Sequence, residues 1–219
     1  SDILTIYEIF SEESYNLKNY LIFKNIQNFY QKILENRKIP LIIDCGSNIG
    51  ASSIYFSKLF NKSKIALVEP DHDSYLFSKK NVKGDNFFFF NNAVSNRNEK
   101  VRFASDKIDN RASKICSSSK EEVNCLTIDS ILKKMSENDH INFLIKIDIE
   151  GYENKLFEDN FDWLDSFKVV IIEIHDWMLP NKSNSLNFMN ALVSTSKNKR
   201  KRDLIISGEN LISIRIDEK

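Results

Sequence analysis

The feature that most constrains this chain is a series of short apolar runs, each with a polar or acidic residue at or just beyond its end. The runs are Leu41–Cys45, Ile65–Val68, Phe87–Phe90, Phe143–Ile147 and Val169–Ile174. Runs of this length and composition are typical of strands that are buried on both faces. Intervening segments such as Gly50–Phe60, Asp73–Val82 and Ile128–Met135 have the apolar spacing of helices. Strands that alternate with helices predict an α/β fold with a mainly parallel sheet and helices on both faces.

The two ends of the chain depart from this alternation. Apolar residues recur at intervals of three and four over Tyr15–Asn36, which predicts an amphipathic helix ahead of the sheet. Near the C-terminus, Leu204–Ile206 and Leu211–Ile216 flank the turn-forming segment Ser207–Asn210, and this pattern is typical of a β-hairpin. We therefore expect one antiparallel strand at the end of the chain. The polar stretch Ser105–Lys120 has the composition of a loop.

Length and cysteine content favour one intracellular domain. The chain has 219 residues, enough to bury a substantial core, and we see no clear linker. We predict a single domain with a helical segment over residues 1–39 and an α/β core over residues 40–219. Cys45, Cys116 and Cys125 lack the CxxC spacing of zinc sites and fit a reducing compartment, so we expect a cytoplasmic protein. We find no apolar run of about 20 residues, the length that spans a bilayer.

The charges of the chain bear on its partners. Lys and Arg number 31, as do Asp and Glu, so the formal net charge is +0. A neutral chain has no general field that attracts nucleic acid or an anionic membrane, and nucleic acid is therefore not the expected partner. The basic run from Lys197 to Arg202 keeps an RNA partner open as an alternative, although a solvated loop explains such a run more simply.

The first apolar run leads into a glycine loop, DCGSNIG, which extends from Asp44 to Gly50 and precedes a predicted helix. A strand, a glycine loop and a helix in this order present backbone N–H groups and a helix N-terminus to a ligand. Gly46 and Gly50 permit tight turns, and Asn48 tolerates positive φ well enough to replace a middle glycine. Asp44 is placed to hold the ammonium of an amino-acid-containing cofactor, directly or through water. The spacing lacks the GxGxxG order of dinucleotide-binding folds.

Polar residues after the next two strands extend the predicted cofactor site. Glu69 ends the second strand, where a carboxylate can accept hydrogen bonds from both hydroxyls of a ribose. Asn92 and Ala93 follow the third strand, and we expect them beside an adenine ring. The predicted cofactor-binding set also includes Ser47 and Ser53.

The fourth and fifth buried strands end in a second polar group. Alternation places Lys146 and Asp148 on one side of the fourth strand, and Glu173 and His175 on one side of the fifth. A lysine inside an apolar run requires a carboxylate partner or a functional reason. Because ligands of open α/β sheets bind beyond the carboxyl ends of the strands, we expect all of these groups around one crevice, with Asp148 also contacting the cofactor.

Six segments carry a family resemblance. DCGSNIGASS, VEPD, NNAVS, LTIDSIL, LIKIDIEGYE and IIEIH, in this order between Leu41 and His175, resemble the FkbM family of S-adenosylmethionine-dependent methyltransferases. The resemblance implies a Rossmann-like class I methyltransferase fold, with a seven-stranded sheet whose last strand is antiparallel. It also implies S-adenosyl-L-methionine as the cofactor and O-methylation of sugars or of hydroxyls on polyketide-type or glycan products. The chain departs from the family at Ser47, where alanine is usual.

Methyl transfer to an alcohol requires an aligned acceptor and assistance in removing the hydroxyl proton. His175 is our first candidate for the base, because an imidazole titrates near neutrality. Asp148 and Lys146 are predicted to act beside it as catalytic residues. Alternatively, Asp148, Glu150 and His175 hold a divalent metal ion that acidifies the hydroxyl.

We predict that the enzyme methylates a hydroxyl of a sugar, nucleotide sugar or glycan. A polyketide-type acceptor and RNA are the alternatives, and for RNA the chain lacks an NPPY-like motif for base amino groups. A nicotinamide oxidoreductase is disfavoured by the spacing of the glycine loop. A non-catalytic binding module predicts that the cofactor has no effect on melting.

Overall fold

The apolar runs form strands, and the segments between them form helices. The computed structural model describes residues 2–104, 114–115, 121–136, 139–177, 180–196 and 201–216. Its strands are β1 (Ile39–Cys45), β2 (Lys64–Val68), β3 (Phe87–Phe90), β4 (Ala93–Val94), β5 (Lys100–Ala104), β6 (Lys114–Ile115), β7 (Glu121–Leu126), β8 (His140–Ile147), β9 (Val169–Glu173), β10 (Arg202–Ser207) and β11 (Asn210–Arg215). Its α-helices are α1 (Asp2–Phe10), α2 (Phe23–Glu35), α3 (Ala51–Leu59), α4 (His72–Asn81), α5 (Ile128–Met135), α6 (Glu153–Leu156) and α7 (Leu186–Ser196).

Seven of these strands form one sheet in the order β10-β11-β9-β8-β1-β2-β3. The pairs β1–β2, β1–β8, β2–β3 and β8–β9 are parallel. The last strand, β11, is antiparallel to both of its neighbours, β9 and β10. The predicted α/β class is therefore confirmed, including the seven-stranded sheet with its antiparallel last strand.

Both faces of the sheet are covered, as predicted. Neighbouring residues of β1 point to opposite faces, so that Ile42 belongs to one apolar cluster and Ile43 to the other. The first cluster contains Phe56 of α3 and residues of α2, and the second contains Phe188 of α7 and residues of α5. Because both faces are buried, the strands require the continuous apolar runs that identified them.

A small second sheet lies in the order β4-β7-β5-β6. The sequence indicated only a loop for Ser105–Lys120, but Lys114–Ile115 pairs with β5 as a strand. The rest of that stretch lies outside the described residues, as does the part of the basic run from Lys197 to Arg200. Among the described residues, no helix is both long and apolar enough to cross a membrane.

The N-terminal segment differs from its prediction. The continuous helix expected over Tyr15–Asn36 is interrupted, and α2 begins only at Phe23. The Asn16 side chain accepts a hydrogen bond from the Lys18 backbone N–H, which starts a short 3-10 turn, and the chain is extended again at Tyr20. Apolar spacing alone placed Leu17 and Leu21 on one buried face, but only Leu17 is buried and Leu21 is fully exposed.

Candidate active site

A cavity of about 750 Å³ opens at the carboxyl ends of the central strands. Residues just beyond β1, β2 and β8 line it, as do Glu173 and His175 at the end of β9. The N-terminal segment and the turn between β10 and β11 complete the wall. From β1 the chain adds strands towards β3 on one side, and from β8 it adds strands towards β9 on the other. The strand order therefore reverses between β1 and β8, and open α/β sheets bind ligands at such a point. The structure thus brings the polar strand ends into one crevice.

The glycine loop turns at Gly46, Asn48 and Gly50, whose φ values are 75°, 47° and 87°. A Cβ on Gly46 would lie 1.7 Å from the backbone carbonyl oxygen of Asp148, so only glycine fits where this loop meets the end of β8. Asn48 takes the positive φ that the sequence predicted for it. Gly46, Ser47 and Asn48 line the cavity, whereas Gly50 caps α3 behind it.

Asp44 and Ser53 also lie behind the loop. Asp44 is fully buried, and its Oδ2 accepts hydrogen bonds of 2.6 Å from the hydroxyls of both Ser52 and Ser53. These bonds hold the first turn of α3 against the end of β1. Asp44 does not line the cavity, and its predicted contact with the ammonium of the cofactor, directly or through water, stays a prediction.

Glu69 stands at the cavity wall with its carboxylate already oriented. One oxygen accepts a hydrogen bond of 2.8 Å from the Asn48 backbone N–H, and the other accepts one of 2.8 Å from the Asp71 N–H. Burial raises the pKa of Glu69 to about 7, although these two hydrogen bonds oppose the shift. A carboxylate has room for about four hydrogen bonds. Glu69 therefore retains acceptor capacity for a ligand.

Three further predicted residues line the same half of the cavity. The Ser47 side chain is only 2% exposed, and among the described residues its hydroxyl has no hydrogen-bond partner. Asn92 is fixed by a hydrogen bond of 3.1 Å from its Nδ2 to the Asn124 carbonyl, and Ala93 begins β4 beside it. A buried hydroxyl without a partner is costly unless a ligand or water satisfies it.

Lys146 has the carboxylate partners that its place in an apolar strand requires. Its Nζ lies 3.1 Å from Asp148 Oδ2 and 3.5 Å from Asp44 Oδ1, and it donates a 2.8 Å hydrogen bond to the Gly46 carbonyl. Burial alone lowers the pKa of Lys146, but the charge of Asp148, together with Tyr15 and Asp44, raises it well above its ordinary value. Lys146 is therefore a cation that joins the ends of β1 and β8.

His175 is surrounded by carboxylates. Its Nδ1 lies 2.9 Å from Glu153 Oε1, and its Nε2 lies 3.4 Å from Glu173 Oε1 and 3.7 Å from Asp148 Oδ1. Burial alone lowers the pKa of His175, but the hydrogen bonds with Glu153 and Glu173 outweigh it and raise the pKa to about 11. The surrounding carboxylates therefore favour the protonated imidazole more than the sequence suggested, and the role of His175 as the base stays a prediction.

The residues that could hold a metal ion differ by one from the alternative metal site predicted from the sequence. Ligand atoms of Asp148, Glu173 and His175 lie within 4.8 Å of one another, so Glu173 takes the place that the sequence suggested for Glu150. Glu150 instead lies 3.7 Å from His175 Nε2 and has a φ of 54°. Burial and the charge of Asp148 raise the pKa of the Glu150 carboxyl to about 8. A metal role for the group stays a prediction.

Tyr15 is a cavity residue that the sequence did not single out. Its side chain is 5% exposed, and its ring packs 5.4 Å from that of Phe56. No described residue forms a hydrogen bond with its hydroxyl, and burial raises the pKa of this phenol, so it stays a neutral donor. The sequence did not indicate a role for Tyr15 in the site, because Tyr15 also fits the apolar spacing of a helix.

The fold and the polar strand ends are shared by several classes of enzyme, and a family comparison decides between them. The model of the methyltransferase FkbM domain matches residues 44–202. The chain belongs to the FkbM methyltransferase family. This FkbM methyltransferase is accordingly an S-adenosylmethionine-dependent enzyme, which removes the nicotinamide oxidoreductase and the non-catalytic module from consideration. No curated protein matches the sequence.

Solved structures of similar proteins include other methyltransferases. The plantazolicin methyltransferase BpumL in complex with SAH is 12% identical, with a TM-score of 0.44 and coverage of 98% of this chain and 99% of that chain. The precorrin-6y C5,15-methyltransferase from Geobacter metallireducens GS-15 is 11% identical, with a TM-score of 0.43 and coverage of 89% and 86%. The fibrillarin pre-rRNA processing protein of Methanococcus jannaschii is 9% identical, with a TM-score of 0.45 and coverage of 82% and 66%.

Proposed function

We propose that this FkbM methyltransferase methylates a hydroxyl of a sugar, either free, nucleotide-linked or within a glycan. The observation that carries the proposal is the division of one cavity into two halves with different chemistry. The half beside β1, β2 and β4 offers prepared hydrogen-bonding groups, and the half beside β8 and β9 holds paired charges. A two-substrate transfer requires such a division.

S-Adenosylmethionine fits the first half. Within the described ranges the Ser47 hydroxyl has no hydrogen-bond partner, the Glu69 carboxylate has free acceptor capacity, and Asn92 and Ala93 line the same half of the cavity. We assign the ribose hydroxyls to Glu69, the adenine to the Asn92–Ala93 segment and the methionine end to Gly46 and Asp148. When bound, the cofactor supplies a methyl group on a positively charged sulfur.

The charges of the cavity bear on the acceptor. Among the described residues that line the cavity, carboxylates outnumber the cations Lys146 and His175. These carboxylates are Glu8, Glu12, Glu13, Glu69, Asp148, Glu150, Glu173 and Glu209. Carboxylates accept hydrogen bonds from sugar hydroxyls and repel phosphates. This favours an uncharged sugar over a nucleotide sugar, and it disfavours RNA. The RNA alternative depended on a basic run that lies largely outside the described residues.

Calorimetry with S-adenosylhomocysteine tests the cofactor half. The unmodified protein should bind it, and Glu69→Ala should weaken binding by about 10-fold or more, because the ribose loses a charged acceptor. Glu35→Ala, at the exposed end of α2, is the control and should bind normally. Equal affinity of Glu69→Ala and the unmodified protein would remove Glu69 from the site.

A side-by-side assay with radiolabelled S-adenosylmethionine tests the acceptor. Neutral glycans, nucleotide sugars, polyketide hydroxyls and RNA are offered at equal concentration. We expect label in carbohydrate, with neutral sugars ahead of nucleotide sugars because of the acidic cavity. Label in RNA alone, or in polyketide alone, refutes the carbohydrate proposal but leaves the cofactor assignment standing.

A further inference from the structure

The turn after β8 holds a carboxylate in a conformation that glutamate rarely adopts. Glu150 has a φ of 54°, within the left-handed region that disfavours residues with a Cβ. Among the described residues, it shares positive φ and a place on the cavity wall only with Glu13, Asn48 and the glycine positions Gly46 and Gly208. Backbone conformations of this kind persist only where the surroundings enforce them.

One buried side chain enforces this turn. Oε1 of Glu153, which is fully buried, accepts hydrogen bonds from the backbone N–H groups on both sides of Glu150, those of Ile149 at 3.2 Å and Gly151 at 3.3 Å. The same oxygen lies 2.9 Å from His175 Nδ1. The arrangement fixes the backbone of Glu150 and the imidazole together, so that the Glu150 carboxylate and His175 Nε2 face each other at 3.7 Å.

Glu150 also differs from the other carboxylates around this part of the cavity. Asp148 pairs with Lys146 at 3.1 Å, and Glu173 lies 3.4 Å from His175 Nε2, closer than Glu150 at 3.7 Å. Within the part of the chain that the structure describes, no group donates a hydrogen bond to Glu150, and its side chain remains 25% exposed to the cavity. It is therefore a carboxylate with acceptor capacity on the cavity wall beside the end of β8.

Resting on the proposed function, we propose that Glu150 is the general base and that its carboxylate lies beside the transferred methyl group. As the acceptor oxygen forms its bond to the methyl carbon, the carbon–sulfur bond breaks and its electron pair stays on sulfur. The hydroxyl proton passes to the Glu150 carboxylate, which later releases it to solvent. His175, whose Nε2 lies 3.7 Å from the Glu150 carboxylate, positions Glu150 rather than accepting the proton, and Glu153 positions both.

The test uses binding and needs no acceptor. Sinefungin is an analogue of the cofactor that carries a charged amine in place of the sulfonium methyl, so a carboxylate beside the methyl position should hold it. We expect the unmodified protein to bind sinefungin about 10-fold or more tightly than S-adenosylhomocysteine, and Glu150→Gln to abolish this preference. Glu150→Gln should bind S-adenosylhomocysteine within about 2-fold of the unmodified protein.

The charged groups that face Glu150 are Asp148, Glu173, His175 and Lys146, and all affinities are compared at one pH. Glu35→Gln is the control, because Glu35 lies at the exposed end of α2 and does not line the cavity. It should leave the sinefungin preference unchanged.

A second variant tests the strain. Glu150→Asn, whose side chain tolerates positive φ, should melt at the same temperature as the unmodified protein or a few degrees higher. A lower melting temperature would assign Glu150 a structural role and overturn the proposal.

An undiminished sinefungin preference in Glu150→Gln, or an equal loss of affinity for both ligands, would also overturn it. Failure of the unmodified protein to bind either ligand would instead refute the proposed function.

Discussion

Single backbone positions determine whether the two halves of the active site can meet. At Gly46 the glycine loop passes so close to the end of β8 that a Cβ would overlap the Asp148 carbonyl oxygen. The Lys146 ammonium connects the same two segments, because it donates a hydrogen bond to the Gly46 carbonyl and pairs with Asp148. The loop assigned to the cofactor and the strand end assigned to the acceptor thus depend on one another at the level of individual atoms.

Replacing Gly46 with alanine should be much more destabilising than replacing Gly208. Both have positive φ, 75° and 59°, but a Cβ on Gly208 meets nothing within 4 Å. Gly208→Ala should lower the free energy of unfolding by about 1–2 kcal/mol, the cost of the left-handed backbone. Gly46→Ala should cost at least about 2 kcal/mol more, because a backbone must move. Denaturant unfolding measures both, and equal losses would show that the close approach is not a constraint.

Among the elements, the N-terminal segment has the least expected role. It precedes the FkbM match, which begins at residue 44, yet α1 and the chain as far as Tyr15 form one wall of the cavity. Tyr15 reaches the paired charges and anchors its ring on Phe56 of α3. We expect this segment to contact a bound cofactor.

Hydrogen exchange should detect this contact. Residues between Thr5 and Tyr15 line the cavity. Addition of S-adenosylhomocysteine should therefore slow the exchange of their backbone amides, because the bound ligand would stabilise this segment against local opening. Amides of α7, which contributes no lining residue, serve as the internal control and should be unaffected. Slowing in the glycine loop without any slowing between Thr5 and Tyr15 would show that the segment does not respond to the cofactor.

At the scale of the whole molecule, the acidic cavity couples stability to pH. His175 has a folded pKa of about 11 against an ordinary 6.5, so the stability it contributes is complete below 6.5 and is lost as the pH rises towards 11. The pKa values of Glu69 and Glu150 rise from 4.5 to about 7 and about 8, so their ionisation opposes folding as the pH rises. All three shifts have the same sign.

The melting temperature of the ligand-free protein should therefore fall between about pH 6 and about pH 9, because the folded state binds more protons than the unfolded state over this range. Differential scanning calorimetry across the range measures the slope. The double variant Glu69→Gln, Glu150→Gln should have a shallower slope, since it removes two of the three groups. A melting temperature that is constant or rises over the same range would contradict the assignment of these pKa shifts.

The sequence predicted the central sheet well, because β1, β8 and β9 are buried on both faces and must be continuously apolar. It predicted the polar strand ends, because parallel strands present their carboxyl ends at one edge. It did not predict which of them face the cavity. Asp44 turns towards Ser52 and Ser53, and Glu153 binds His175 from a different element. Such contacts depend on tertiary approach, which residue spacing along the chain does not encode.

The turn between β10 and β11 has a consequence for how this scaffold can change over generations. Ser207–Asn210 borders the proposed acceptor half of the cavity, and Gly208 has open space around it. The cofactor loop is fixed by the Gly46 contact, whereas a side chain at Gly208 meets no atom within 4 Å and costs only the left-handed backbone, about 1–2 kcal/mol. We therefore expect variation in this turn to alter the choice of acceptor more readily than variation in the cofactor loop, and a library randomised here measures that difference.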